Sequence, residues 1–108
     1  MSEESYVLIR GMGDGQSIRL DFKRTMQKGR IMDFSINLCL IEEERNTEIY
    51  RIDTEHGYIH EHKFWKSKEP TKINQGYNEC FIQKEKEIME NYKRWTMLFK
   101  KKRMEWTR

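Results

Sequence analysis

From Ser17 to Lys23 apolar and polar residues alternate one for one, with Ile18, Leu20 and Phe22 on one side and Arg19, Asp21 and Lys23 on the other. A period of two fits a β-strand with one buried face and does not fit a helix. The same period returns where Met32, Phe34, Ile36, Leu38 and Leu40 alternate with Asp33, Ser35, Asn37 and Cys39. That run predicts the longest strand and the centre of a sheet. Tyr6–Arg10 is rich in β-formers, and Gly11-Met12-Gly13-Asp14-Gly15 after it predicts a hairpin loop able to supply positive φ. Gly29 separates the second and third strands, and Glu42 to Asn46 reads as a charged turn. Further strands are predicted over Thr47–Asp53 and Tyr58–Trp65, then a loop over 66–77 holding the single proline, Pro70. From Asn78 the period changes: Phe81, Glu85, Ile88, Tyr92, Trp95 and Phe99 recur at spacings of three and four, with Met89 and Thr96 broadening the stripe. This predicts a helix over 78–106. Consecutive strands followed by one helix give an α+β class: an antiparallel meander of about five strands over 1–65, with one long C-terminal helix packed on a face.

A chain of 108 residues has the size of one domain, here 1–108. Charged residues match hydrophobic ones at 36% each, yet the five Phe, five Tyr and three Trp set the composition apart from disordered chains. Met1-Ser2-Glu3-Glu4 carries no basic and apolar leader, and Leu38-Cys39-Leu40-Ile41 is far too short to span a bilayer. The expected setting is therefore cytoplasmic, without a membrane partner. Cys39 and Cys80 lack C-x-x-C spacing and are expected as reduced thiols.

All three histidines fall within Asp53-Thr54-Glu55-His56-Gly57-Tyr58-Ile59-His60-Glu61-His62. In an extended strand His60 and His62 share a face, about 6.6–6.8 Å apart, flanked by Tyr58 and Phe64, while Glu61 and Lys63 point the other way. His56 stands at the turn beside Gly57, near Asp53. Three readings follow. Two imidazoles near an acid can divide general acid and base roles close to neutral pH. Asp53 would orient an imidazole, and Arg51 would neutralise phosphate in RNA cleavage through the 2′-hydroxyl. Alternatively, His56, His60 and His62 could ligate a metal, a weaker signal than paired C-x-x-C. In the third reading the histidines are structural, hydrogen-bonded to Asp53, Glu55 or Glu61. No cofactor is implied.

The stretch Tyr50-Arg51-Ile52-Asp53-Thr54-Glu55-His56-Gly57, with His60 and His62 following, resembles an R-Y-D-T-A-H-G block followed by H-x-H in small archaeal and bacterial proteins. Among these are TumE-like toxin components of toxin–antitoxin pairs. Ile52 stands where that group more often has an aromatic, and Glu55 where it has a small residue. The resemblance implies an antiparallel α+β fold, interference with RNA or translation, and a cognate antitoxin-like partner.

The glycine-dense loop lacks the following helix and Lys-Ser/Thr of a phosphate loop and stays a hairpin. Lys100, Lys101, Lys102 and Arg103, with Lys93, Arg94 and Arg108 nearby and Trp95, Phe99 and Trp106 interleaved, form the second feature. Cations at a helix C-terminus complement its dipole, and with aromatics they can also bind RNA. Lysines between Lys63 and Lys72 could extend that surface to the histidine strand. The long apolar stripe could also pair with a second copy, giving a homodimer through the helix. The expected function is a nucleic-acid-directed, toxin-like ribonuclease. The alternatives are a non-catalytic interaction or dimerisation protein, and a metal-binding protein.

Overall fold

A computed structural model describes residues 1–106. Six strands precede the helix: β1 (Ser2–Gly11), β2 (Ser17–Gln27), β3 (Arg30–Ile41), β4 (Asn46–Asp53), β5 (Ile59–Lys63), β6 (Thr71–Ile73) and α1 (Tyr77–Trp106), with a 3-10 turn at Glu55–Gly57. The strands form one antiparallel sheet in chain order, β1-β2-β3-β4-β5-β6. The α+β meander with a long C-terminal helix is thus the fold. The strand count is six rather than five, because β6 lies inside the segment expected as loop. Its three residues are too few to carry a period, and Pro70 stops just short of it.

Turn chemistry sets the register. Lys28 and Gly29 both adopt positive φ (49° and 76°), the pair required by the tight hairpin turn that matches strand twist. Two irregularities adjust the alternation. Between β2 and β3 the pairing moves from Thr25↔Asp33 to Met26↔Ile31, so Met32 is the extra residue. Met32 is accordingly exposed and Ile31 takes the core position expected of it. Between β3 and β4 the shift falls at Leu38/Cys39, and both Ile49 and Tyr50 end up buried.

The core fills the space between α1 and one sheet face, hereafter the inner face. It holds Ile18, Leu20, Phe22, Phe34, Ile36, Leu38, Leu40, Tyr50 and Ile52 from the strands. The helix contributes Phe81, Ile88, Trp95 and Phe99, with Cys80 and Thr96 also buried. Trp95 lies 4.7 Å from Tyr50 and 5.3 Å from Trp65, and Phe81 meets Phe34 edge-on at 5.5 Å. Each such side chain, once buried, contributes about 1.5–3 kcal/mol against exposure. Met89, expected to broaden the stripe, is turned outward and exposed, and Glu85 instead receives the Tyr6 hydroxyl hydrogen bond. Cys39 and Cys80 are both free thiols. Among the described residues no helix is long and apolar enough to cross a membrane.

Candidate functional site on the open sheet face

The inner face takes the apolar half of each alternation, so the polar halves gather on the outer face. Register then brings distant segments together. Lys23 lies opposite Ser35, Ser35 opposite Asp53, and Asp53 opposite His60, which faces Lys72 of β6. One row along, Asp21 lies opposite Asn37, Asn37 opposite Arg51, and Arg51 opposite His62. Two rows of polar side chains therefore cross the sheet, one running through His60 to Lys72 and the other ending at His62.

Asp53 is the hub. Its Oδ1 lies 2.8 Å from His60 Nε2 and accepts the Glu55 backbone N–H at 3.0 Å, while its Oδ2 lies 3.3 Å from Arg51 Nε. Arg51 also reaches Glu48 at 3.0 Å and directs an N–H toward His62 Nε2 at 3.3 Å. A guanidinium only donates, so His62 Nε2 is the acceptor and its proton belongs on Nδ1. In the same way, contact with a carboxylate places the His60 proton on Nε2. Among the described residues the Nδ1 atoms of His60 and His62 are buried without a hydrogen-bond partner. Burial, then the nearby Arg51 guanidinium and His60, hold the His62 pKa below its ordinary 6.5. Its imidazole is neutral at pH 7.

The rings form a continuous row: Tyr58 to His60 at 5.4 Å, His60 to His62 at 5.5 Å, and His62 stacked on Phe64 at 5.3 Å. Lys72 sits 5.2 Å from the Tyr58 ring. His56 is exposed at the turn with its ring 6.1 Å from His60, and it adopts φ 72° beside Gly57 at φ 83°. Thr54 fixes the end of β4: its hydroxyl accepts the Phe34 N–H at 2.9 Å, and its own N–H donates to Phe34 O at 3.1 Å.

A concavity of about 540 Å³ opens beside this network, lined by Lys23, Asp33, Phe34, Ser35, Asn37, Arg51, Asp53, Thr54 and Glu55. The structure thus brings Arg51, Asp53, His60 and His62 into contact, with His56 at the margin. Arg51 and Asp53 face the concavity, and the imidazoles stand behind them. Lys23, Asp33, Ser35 and Asn37 were not singled out in the sequence. Their alternation was visible, but only strand register places them beside Arg51 and Asp53. Among the described residues, no group of three or more His, Cys, Asp or Glu side chains is arranged to hold one metal ion.

The basic C-terminal cluster does not join this face. Lys100 pairs with Asp14 at 2.9 Å and Arg103 with Glu42 at 2.8 Å, both in loops at the far end of the sheet. Lys102 pairs with Glu105 at 3.4 Å. The helix lies over the inner face, so these cations and the histidines occupy opposite sides. Arg108 lies outside the described residues.

Residues 1–105 match the model of a family described as "Domain of unknown function (DUF7718)", and the chain belongs to that family. No curated protein and no solved structure matches it.

Proposed function

We propose that this member of the family is directed at RNA through the outer-face concavity. Arg51 and Lys23 would hold a backbone phosphate, and the Asp53–His60 pair would move the proton. The observation that carries the reading is the Asp53–His60 contact of 2.8 Å placed beside Arg51 at the wall of a concavity. A phosphodiester next to a 2′-hydroxyl needs little more for cleavage than a base, an acid and a cation. In this site Asp53, backed by the imidazole N–H of His60, would accept the 2′-hydroxyl proton as the 2′-oxygen bonds to phosphorus. The P–O5′ bond then breaks, the same pair returns that proton to the departing 5′-oxygen, and a 2′,3′-cyclic phosphate and a 5′-hydroxyl end result. Arg51 neutralises charge as the phosphorus becomes five-coordinate. Asn37 and Ser35 offer hydrogen bonds to the ribose or base. His62 is a positioning residue: its neutral ring accepts from Arg51 without repelling it. An antitoxin-like partner and the basic helix end play no part in this chemistry.

The test uses a labelled single-stranded oligoribonucleotide and the same sequence with 2′-deoxy sugars. Wild-type protein is expected to cut only the former, with Asp53→Asn and His60→Ala each reducing the rate by about 10²-fold or more. Binding of both oligonucleotides without cleavage, weakened by Arg51→Ala, would replace catalysis by a non-catalytic interaction role. Neither binding nor cleavage would end the RNA reading altogether.

A further inference from the structure

The two margins of the sheet differ. β6 is three residues long, follows Pro70 and carries Lys72, the devices by which proteins blunt an edge. β1 has none of these. It runs ten residues, pairs with β2 from Ser2↔Met26 to Gly11↔Ser17 without a register shift, and contains neither proline nor lysine. Its middle is apolar and open: Tyr6, Val7 and Ile9 are 43%, 45% and 57% exposed. Such an edge is a template for another strand.

We infer that β1 pairs antiparallel with β1 of a second copy about a two-fold axis at Val7, joining two sheets into one. The charge pattern selects both the occupant and the register. Opposed residues in an antiparallel pair lie on the same sheet face, so a two-fold pairing must match residues of like parity. Centred on Val7, this sets Arg10 of each copy opposite Glu4 of the other and Tyr6 opposite Leu8. Ile9 then faces Ser5, and Val7 faces itself. Moving the centre one residue toward the N-terminus sets Arg10 against Ser2 and Glu4 against Leu8. Moving it one residue the other way sets Arg10 against Tyr6. Among these three only the Val7-centred register matches opposite charges, and it does so twice, flanking an apolar centre. Arg10 is available, since its side-chain hydrogen bond goes to the Ile9 carbonyl. Glu4 receives Arg24 at 2.8 Å with half its side chain still exposed, so a second cation can reach it. The paired strand would span about 33 Å. This interface differs from dimerisation through α1 and does not depend on any activity toward RNA.

The test combines oligomeric state with cross-linking of the full chain. Sedimentation equilibrium is expected to give a dimer. Val7→Lys sets two ammonium groups against each other across the axis on an exposed position, and should raise the dimer dissociation constant by roughly tenfold or more. Under mild oxidation, Val7→Cys should form an intermolecular disulfide, because opposed residues in an antiparallel pair have Cα atoms about 4.5–5.5 Å apart. Ile9→Cys should not link to itself, since its counterpart lies several residues along the strand. A monomer at all concentrations would overturn the proposal. So would a dimer that survives Val7→Lys unchanged, or one that cross-links at Ile9→Cys and not at Val7→Cys. Filaments or captured extended peptides in place of a closed dimer would also overturn it.

Discussion

Glu61 lies on the strand that carries His60 and His62 but points to the opposite face, and the cost of disturbing it can be worked out. Its carboxylate is 7% exposed, 2.8 Å from Lys84 Nζ of α1, and accepts the Tyr50 hydroxyl at 2.6 Å. Burial alone would raise the Glu61 pKa, but hydrogen bonds from Lys84 and Tyr50 hold it below its ordinary 4.5. Burial alone would likewise lower the Lys84 pKa, but Glu61 and Glu87 hold it above 10.5. Lys84→Met leaves the carboxylate buried without its main partner, a defect worth about 3–5 kcal/mol. Lys63 stands 3.9 Å from the same carboxylate and offsets part of that, so the lower end, about 3 kcal/mol, is expected. For a chain of this size that lowers Tm by roughly 12 °C. Glu61→Leu with Lys84→Met removes both charges from the interface but leaves the buried Tyr50 hydroxyl without its acceptor, at a cost of about 1–3 kcal/mol. Adding Tyr50→Phe should then recover stability to within about 1 kcal/mol of wild type. The sign of the pH dependence follows from the two shifts. The Glu61 contribution is complete above about 4.5 and is lost as pH falls through the lowered folded pKa; the Lys84 contribution is complete below about 10.5 and is lost as pH rises. Urea unfolding by circular dichroism across this range measures both. A Lys84→Met penalty under about 1 kcal/mol, or a triple variant no better than Lys84→Met alone, would refute the reasoning.

NMR titration of His62 should give a midpoint below 6.5, moving upward in Arg51→Ala; a wild-type midpoint at or above 6.5 contradicts the assigned environment. Because the unfolded chain then binds the extra proton more readily, the His62 contribution to stability is lost as pH falls below about 6.5. If RNA binds the outer face, neutralising Lys23 and Arg51 together should lower the salt dependence of affinity by about 1.4 in log–log slope for a single strand. Neutralising Lys100 to Arg103 should leave it unchanged, and the reverse outcome would move the contact to the helix face. Burial pushes the Cys39 thiol up to about 11 and also raises that of Cys80, so neither should react with a thiol reagent at pH 8 until the chain unfolds. A fast native reaction of either would argue against the packing around it.

The alternation of Ser17–Lys23 and Met32–Leu40 determined the strands, and the change to a period near 3.6 after Asn78 determined the helix, because each pattern buries one face in only one conformation. The parity of β5 likewise settled from sequence that His60 and His62 share a face with Tyr58 and Phe64 and that Glu61 does not. What period cannot supply is register, since sliding one strand by two residues preserves every face and changes every neighbour. Tertiary structure therefore decided that Asp53 meets His60 and Arg51 meets His62, and that Lys23, Ser35 and Asn37 come from two other strands to join them. It decided the fate of Met32, which a bulge turned outward, and of β6, whose three residues were too few to show a period. It also decided that Lys100 to Arg103 lie across the sheet from the histidines, because a helix on the inner face carries its cations away from the outer one.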